Sequence, residues 1–151
     1  MDTENKGVAE GLCAYVDGSF RDGEAAYGCV ILLNGALQAQ LSGVDARFPE
    51  TRNIYAELLG TVKAIEWAIE RSYRSVTIYY DYSGVEKWAN SAWKTNSIVS
   101  RRYKAYIEKL RSSIDISFVK VCAHSGDVYN ELADKLARSA LKADNVQTAH
   151  K

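Results

Sequence analysis

The sequence predicts an α/β fold: a mixed five-stranded sheet, an antiparallel meander joined to parallel strands, with helices on both faces. Three observations predict it. Two turn dipeptides, Asp22-Gly23 and Asn34-Gly35, separate three apolar runs near the start. The apolar period then changes from two to about 3.6 after residue 53. From there, β-branched runs alternate with helical patterns, which is how strands come to lie parallel through crossovers.

Leu12 to Val16 is a short apolar run ending at Asp17, Ala26 to Leu33 is the second strand, and Leu37 to Val44 is the third. In residues 53–70, Ile54, Leu58, Val62, Ile65 and Ile69 recur at helical spacing, giving an amphipathic helix. Val76 to Tyr80 is β-branched and aromatic and reads as a buried strand ending at Asp81. Gly84 to Trp93 and Ser100 to Ser112 read as helices, and Ile116 to Cys122 as a fifth strand. His124 to Asp127 is a loop, with Asp127 placed to cap a last helix over Val128 to Leu141. That helix turns Leu132, Ala133, Leu136 and Ala140 inward. Residues 1–10 and 143–151 are expected to be disordered, leaving 11–142 as one domain.

The chain of 151 residues can bury a full core without disulfides. Hydrophobic residues make up 47% and charged residues 25%, an ordinary globular balance. No apolar window is long enough to span a membrane. Met1 to Lys6 is polar and acidic, unlike a secretory leader. Cys13, Cys29 and Cys122 each sit among apolar residues and read as small buried hydrophobes in a reducing, cytoplasmic setting. With two histidines and no paired cysteines, zinc is disfavoured. Net charge is zero, but Glu86 to Arg111 carries seven basic and two acidic residues, +5 against −5 for the rest. That stretch reads either as a nucleic-acid face or as a solvated helix, and charge alone favours the solvated helix.

Asp17 and Asp81 each end an apolar strand. If those strands are parallel neighbours, roughly 4.8 Å apart, both carboxylates emerge at one sheet edge. Two-metal sites hold their ions about 3.5–4 Å apart, so such a pair could share two hard divalent cations. Asp before Gly is equally a common strand terminator. Glu57 lies one turn into the first long helix beside its apolar face, and Asp134 lies in the last helix one turn after Asn130. Taken singly, each reads as a surface acid.

Together these residues match a family. The strings Tyr-Val-Asp-Gly-Ser (15–19), Asn-Ile-Tyr-Ala-Glu-Leu (53–58), Ile-Tyr-Tyr-Asp-Tyr (78–82) and His-Ser-Gly-Asp-Val-Tyr-Asn-Glu-Leu-Ala-Asp (124–134) resemble ribonuclease H type 1, in the family's order. Tyr-Tyr-Asp-Tyr-Ser-Gly-Val-Glu-Lys-Trp-Ala (79–89) is similar to the bacterial branch often fused to a viroplasmin-like, hybrid-binding domain, which these residues do not include. The resemblance covers residues 12–141. It implies the ribonuclease H-like fold and an endonuclease that hydrolyses the RNA strand of RNA–DNA hybrids with two Mg²⁺ ions, Mn²⁺ being the alternative, leaving 5′-phosphate and 3′-OH ends. By resemblance, Asp17 bridges both ions, Asp134 completes the site of the water-activating ion, and Glu57 and Asp81 hold the ion at the leaving 3′ oxygen. His124 assists proton movement or product release. Gly18, Ser19 and Asn53 contact 2′-hydroxyls, by which proteins tell RNA from DNA. Arg52 is placed to grip a DNA phosphate, and Ser83 occupies another minor-groove position. Trp88, Trp93 and Lys94 interleave aromatic and basic groups as a DNA channel would, although a helical tryptophan is more often core. The partner implied is an RNA–DNA hybrid, with no membrane and no obligate protein partner.

Two departures stand out. Only 43 positions separate Asp81 from His124, enough for two helices and one strand, so the extra basic helix of some members is inferred to be absent. Ile54 replaces a residue that is often polar. Competing readings are a resolvase, integrase or transposase of the same fold, and a binding module that does not cut. The intact carboxylates weigh against the second. A serine hydrolase would need a Gly-x-Ser-x-Gly elbow, which the sequence lacks.

Overall fold

The computed structural model describes residues 11–122 and 127–149, with side chains through Ala143. Strands β1 (Leu12–Arg21), β2 (Glu24–Leu33) and β3 (Ala36–Asp45) form the meander. Its two turns are two-residue loops, with Arg21 paired to Glu24 and Leu33 to Ala36. Asp22 and Gly23 have φ of 50° and 82°, Asn34 and Gly35 of 50° and 85°. Positive φ at both central positions matches the right-handed twist of the flanking strands.

Helix α1 (Asn53–Glu70) leads to β4 (Ser75–Tyr80), then short α2 (Gly84–Ala89), α3 (Ile98–Leu110), β5 (Asp115–Lys120) and α4 (Val128–Ala149). Strand order is β3-β2-β1-β4-β5. β4 pairs parallel with β1 and β5 parallel with β4, so the sheet is mixed as expected. On one face, Ala14, Val16, Ile31 and Ile78 pack with Ala56 and Ile65 of α1 and Ile107 of α3. On the other, Cys13, Val30 and Leu32 meet Ala133 of α4, and Ala26 meets Ala137 and Leu141. Helices therefore cover both faces.

Several boundaries differ from the sequence expectation. β1 does not end at Asp17; its antiparallel pairing with β2 continues to Arg21, leaving Asp17 inside a strand. α2 stops at Ala89, because Asn90 and Ser91 leave the helix, Ser91 at φ 64°. The Ala92 and Trp93 N–H groups close back onto the Lys87 carbonyl. α3 starts two residues early. Ser97 and Ser100 cap it reciprocally, a capping box with Ser where Glu or Gln is usual. The backbone of α4 is helical to Ala149 rather than ending at Leu141, and Lys142 to Ala149 contains no Gly or Pro to stop it. Its deepest residues are Ala133, Ala137 and Leu141, with Leu132, Leu136 and Ala140 half-buried beside them. Cys122 is exposed, not buried, since it follows the end of β5; Cys13 and Cys29 are buried.

The buried face of α1 mixes small residues, Ala56, Gly60, Thr61, Ala64 and Ala68, with the larger Tyr55, Leu58 and Ile65. Ile54, Val62 and Ile69 are only half-buried. Two glycines fix how closely the layers approach. A Cβ at Gly18 would stand 2.7 Å from the Ala56 Cβ and from the Glu57 amide nitrogen. A Cβ at Gly28, on the other face, would stand 2.1 Å from the Ala133 carbonyl oxygen of α4. That obstacle is backbone, so α4 would have to move bodily. Gly28→Ala is expected to cost about 2–3 kcal/mol, the upper range of overpacking, read as a shift of the urea midpoint. An unchanged midpoint would mean that α4 docks more loosely than described.

Candidate active site

The site is assembled where β4 stops and β1 continues. β1 and β4 pair with Cys13 opposite Thr77, Ala14 opposite Ile78 and Tyr15 opposite Tyr79. Extending that register by two residues sets Asp17 level with Asp81. Gly18 lets α1 approach, and this close contact brings Glu57 over the same point. Carboxylate oxygens of Asp17, Glu57 and Asp81 all lie within 4.8 Å of one another. The Asp81 N–H points at Glu57 Oε2 at 3.4 Å, and the Gly18 N–H donates to Asp17 Oδ1 at 2.8 Å.

These three acids line a hollow of about 380 Å³ whose wall also includes Gly18, Asn53 and Asp134. Asp134 reaches it from α4 and is less committed, since its Oδ2 accepts from Arg138 Nε at 3.0 Å one turn along. Glu57 is only 4% exposed. Of the apolar residues that mark the period of α1, Leu58 and Ile65 are buried but Ile54, Val62 and Ile69 are only half-buried, so the buried stripe lies to one side of the apolar pattern and takes in Glu57.

The other expected residues are placed around this hollow. Arg52 is exposed and occupies the N-cap position of α1 with φ 55°, a left-handed conformation unusual for a side chain of its size. Ser19 is half-buried on β1 opposite Ala26 and does not line the hollow. Ser83 begins α2; its carbonyl accepts from Lys87 N–H, and its hydroxyl makes no capping bond. Trp93 and Lys94 line a separate hollow with Trp88, Asn96, Ser97 and Ser100. Trp93 is 39% exposed, and Trp88 Nε1 donates to the Lys94 carbonyl at 3.2 Å. His124 lies outside the described residues. Asp127 caps α4, its Oδ1 accepting from the Tyr129 and Asn130 amides.

Two residues escaped the sequence reading. Tyr82 lines the acid hollow and meets Trp88 and Trp93 edge-on, with centroids at 5.8 and 6.3 Å, so it joins the two hollows. Its position directly after Asp81 was the available signal. Arg138 was legible as the residue four after Asp134, the spacing at which helical ion pairs form.

Electrostatically the cluster is frustrated. Burial pushes Asp17 up to about 6, helped by the neighbouring charges of Asp81 and Asp134 and opposed by the Gly18 N–H. Burial, then the charges of Asp17 and Asp81, push Glu57 well above the usual carboxylate range. Like charges this close cannot all ionise without a counter-charge, and Glu57, the most buried, is the natural holder of a shared proton. Three carboxylates converging at this spacing could hold a divalent cation through hard oxygen donors.

The sign of the pH dependence follows. Unfolded carboxylates titrate near about 4, whereas Asp17 and Glu57 hold their protons longer in the fold. As pH rises between about 4 and 6 the unfolded chain binds fewer protons than the folded one, so this cluster's contribution turns against folding. It is absent below the unfolded range and persists above the folded one. Metal-free protein is expected to lose melting temperature through this cluster between pH 4.5 and 7. Asp17→Asn should melt several degrees higher than wild type at pH 7 and gain little at pH 4.5. A variant that tracks wild type at both pH values would show that the acids do not interact.

Comparisons with known proteins identify the family. The family model RNase H matches residues 9–142. A ribonuclease H of Syntrophomonas wolfei is 31% identical over 147 residues, covering 87% of this chain and 97% of that protein. The ribonuclease H of Neorickettsia sennetsu is 28% identical, covering 82% and 88%. Among solved structures, ribonuclease H1 of Halobacterium salinarum NRC-1 superposes with a TM-score of 0.76 at 29% identity, covering 87% of this chain and 98% of that one. With its fold, its acidic hollow and a family match across nearly the whole described chain, this protein belongs to the ribonuclease H family.

Proposed function

We propose that the protein hydrolyses the RNA strand of RNA–DNA hybrids by a two-metal-ion mechanism, leaving 5′-phosphate and 3′-OH ends. The convergence of Asp17, Glu57 and Asp81 at the end of β4 carries this reading. Mg²⁺, with Mn²⁺ as the alternative, would neutralise charge at the scissile phosphate and activate water for in-line attack. Asp17 would serve both ions. Glu57 and Asp81 are assigned to the leaving-group side and Asp134 to the water side. Glu57 must release its proton to act, so cation binding and proton release are linked. Asp134 must turn from Arg138. His124 is assigned proton movement at the departing end.

Substrate choice is assigned to groups around the hollow. Gly18, Ser19 and Asn53 are read as 2′-hydroxyl contacts, and Ser83 as a minor-groove contact. Arg52, held outward by its backbone, is read as a DNA phosphate contact. The Trp88–Trp93–Lys94 hollow is read as the path of the DNA strand, where edge-to-face aromatic rings and a cation suit a nucleic acid. The reading invokes no protein partner. A reducing, cytoplasmic location fits the free cysteines, and no helix among the described residues is long and apolar enough to cross a membrane.

A cleavage assay tests the proposal. With Mg²⁺ the protein should cut RNA in a hybrid and leave double-stranded RNA and double-stranded DNA intact. Equal cutting of double-stranded DNA would favour a resolvase-like enzyme instead. Asp81→Asn should abolish cleavage while hybrid binding remains measurable. Arg52→Ala should weaken binding and lower the salt slope by about one unit, as loss of one phosphate contact does. An unchanged slope removes Arg52 from the interface.

A further inference from the structure

Helix α2 is only six residues long, too short to persist on its own hydrogen bonds. Buried Val85 and Ala89 and the Tyr103 hydroxyl, which donates to the Val85 carbonyl at 2.6 Å, anchor it to the core, and a closed ring of side chains orients it. Tyr80, the last residue of β4 and 2% exposed, donates its hydroxyl to Glu86 Oε1. Glu86 Oε2 accepts from Asn90 Nδ2 at 3.4 Å. Asn90 Oδ1 accepts from Arg111 Nη2 at 2.6 Å, and Arg111 Nη1 donates to the Ala89 carbonyl. The Arg111 guanidinium lies 5.9 Å over the Phe118 ring, and Phe118 meets Tyr80 edge-on at 6.1 Å. The circuit thus returns to its start, tying β4, α2, the end of α3 and β5 together.

We propose that this ring positions the candidate metal site relative to the aromatic wall, with Tyr80 and Glu86 as positioning residues; the proposal rests on the function given above. Three consecutive residues have three destinations. Tyr80 enters the ring, Asp81 enters the acid hollow, and Tyr82 packs against Trp88 and Trp93. Asp81 lies beyond the end of β4, and its N–H reaches only Glu57 Oε2, at 3.4 Å. Its place is therefore set by what its neighbours grip. Trp88 rides on α2 itself, so the Tyr80–Glu86 bond fixes the distance between the carboxylates and the wall. Breaking it leaves both halves intact but misaligned. A displacement of about 1 Å at a reacting centre is enough to slow chemistry strongly.

Tyr80→Phe removes one hydroxyl and keeps the ring packing. On an RNA–DNA hybrid, well below the melting temperature, it should lower kcat about ten-fold and leave KM within about two-fold. Glu86→Ala, at a half-buried site, should do the same and serves if Tyr80→Phe folds poorly. The double variant should be no slower than the slower single, because both remove the Tyr80–Glu86 bond. Glu86→Gln, which keeps an oxygen acceptor, should restore kcat to within about two-fold of wild type. Independently of activity, Mg²⁺ should raise the melting temperature of Tyr80→Phe less than that of wild type. Wild-type kcat and KM with only a lower melting temperature would overturn the proposal, as would a raised KM at unchanged kcat, or Glu86→Gln as slow as Glu86→Ala. A wild type that does not cut hybrid would sink the proposed function instead, and the Mg²⁺ comparison would still report on the ring.

Discussion

The parallel ladder between β1 and β4 is short, and the candidate site depends on its register. Cys13 faces Thr77, and two steps past the last pair Asp17 comes level with Asp81. A slip of one residue would send every side chain of β4 to the opposite face. It would bury Thr77 and Tyr79 against α1 and turn Val76, Ile78 and Tyr80 out of the core. Burial of Val76 and Ile78 therefore enforces the register, and the carboxylate pairing is a by-product of hydrophobic choice elsewhere in the strand. The fold specifies the position of two acids without any attraction between them.

What brings the acids together is thus opposed by their own charge. Burial and mutual repulsion act on Asp17 and Glu57 in the same direction. The surrounding core must supply the free energy that holds them, and two packed helical layers do so. Sites with this kind of frustration are where stability is commonly given up for function, and the apolar environment that disfavours the charged acids strengthens their grip on a counter-charge.

The legible part of the fold was the part governed by local chemistry. Asp22-Gly23 and Asn34-Gly35 mark their hairpins because only certain residues adopt positive φ, and the β-branched, aromatic run from Val76 to Tyr80 marks β4. The less legible part depended on contacts distant in sequence. β1 reads as ending at Asp17 because the apolar run stops there, yet pairing with β2 carries it to Arg21. Glu57 reads as solvated because large apolar residues dominate the periodicity of α1, while the buried face also takes in Ala56, Gly60, Thr61 and Ala64 beside Leu58 and Ile65. The cap of α3 escaped notice because Ser100 stands where Glu or Gln is usual. In the site, Asp17 and Asp81 were readable because each ends an apolar run, and Asp134 only through the motif that contains it. Tyr82 and the Tyr80–Glu86 bond were not readable, since neither has a spacing rule that announces it.

Gly18 and Gly28 have a consequence for how this protein can change. Gly28 sits opposite Asp17 in the β1–β2 register, and Gly18 follows Asp17 directly. One admits α1 and the other admits α4. At that point the molecule is compressed from both sides to the thickness of bare backbone. Neither position offers a mutational path through a larger side chain, because any step away from glycine displaces a helix that carries an acid of the site. Room for a new side chain lies outward instead, at the exposed start of α1 and on the exposed surface of α3, where it can alter what is held without moving what holds it.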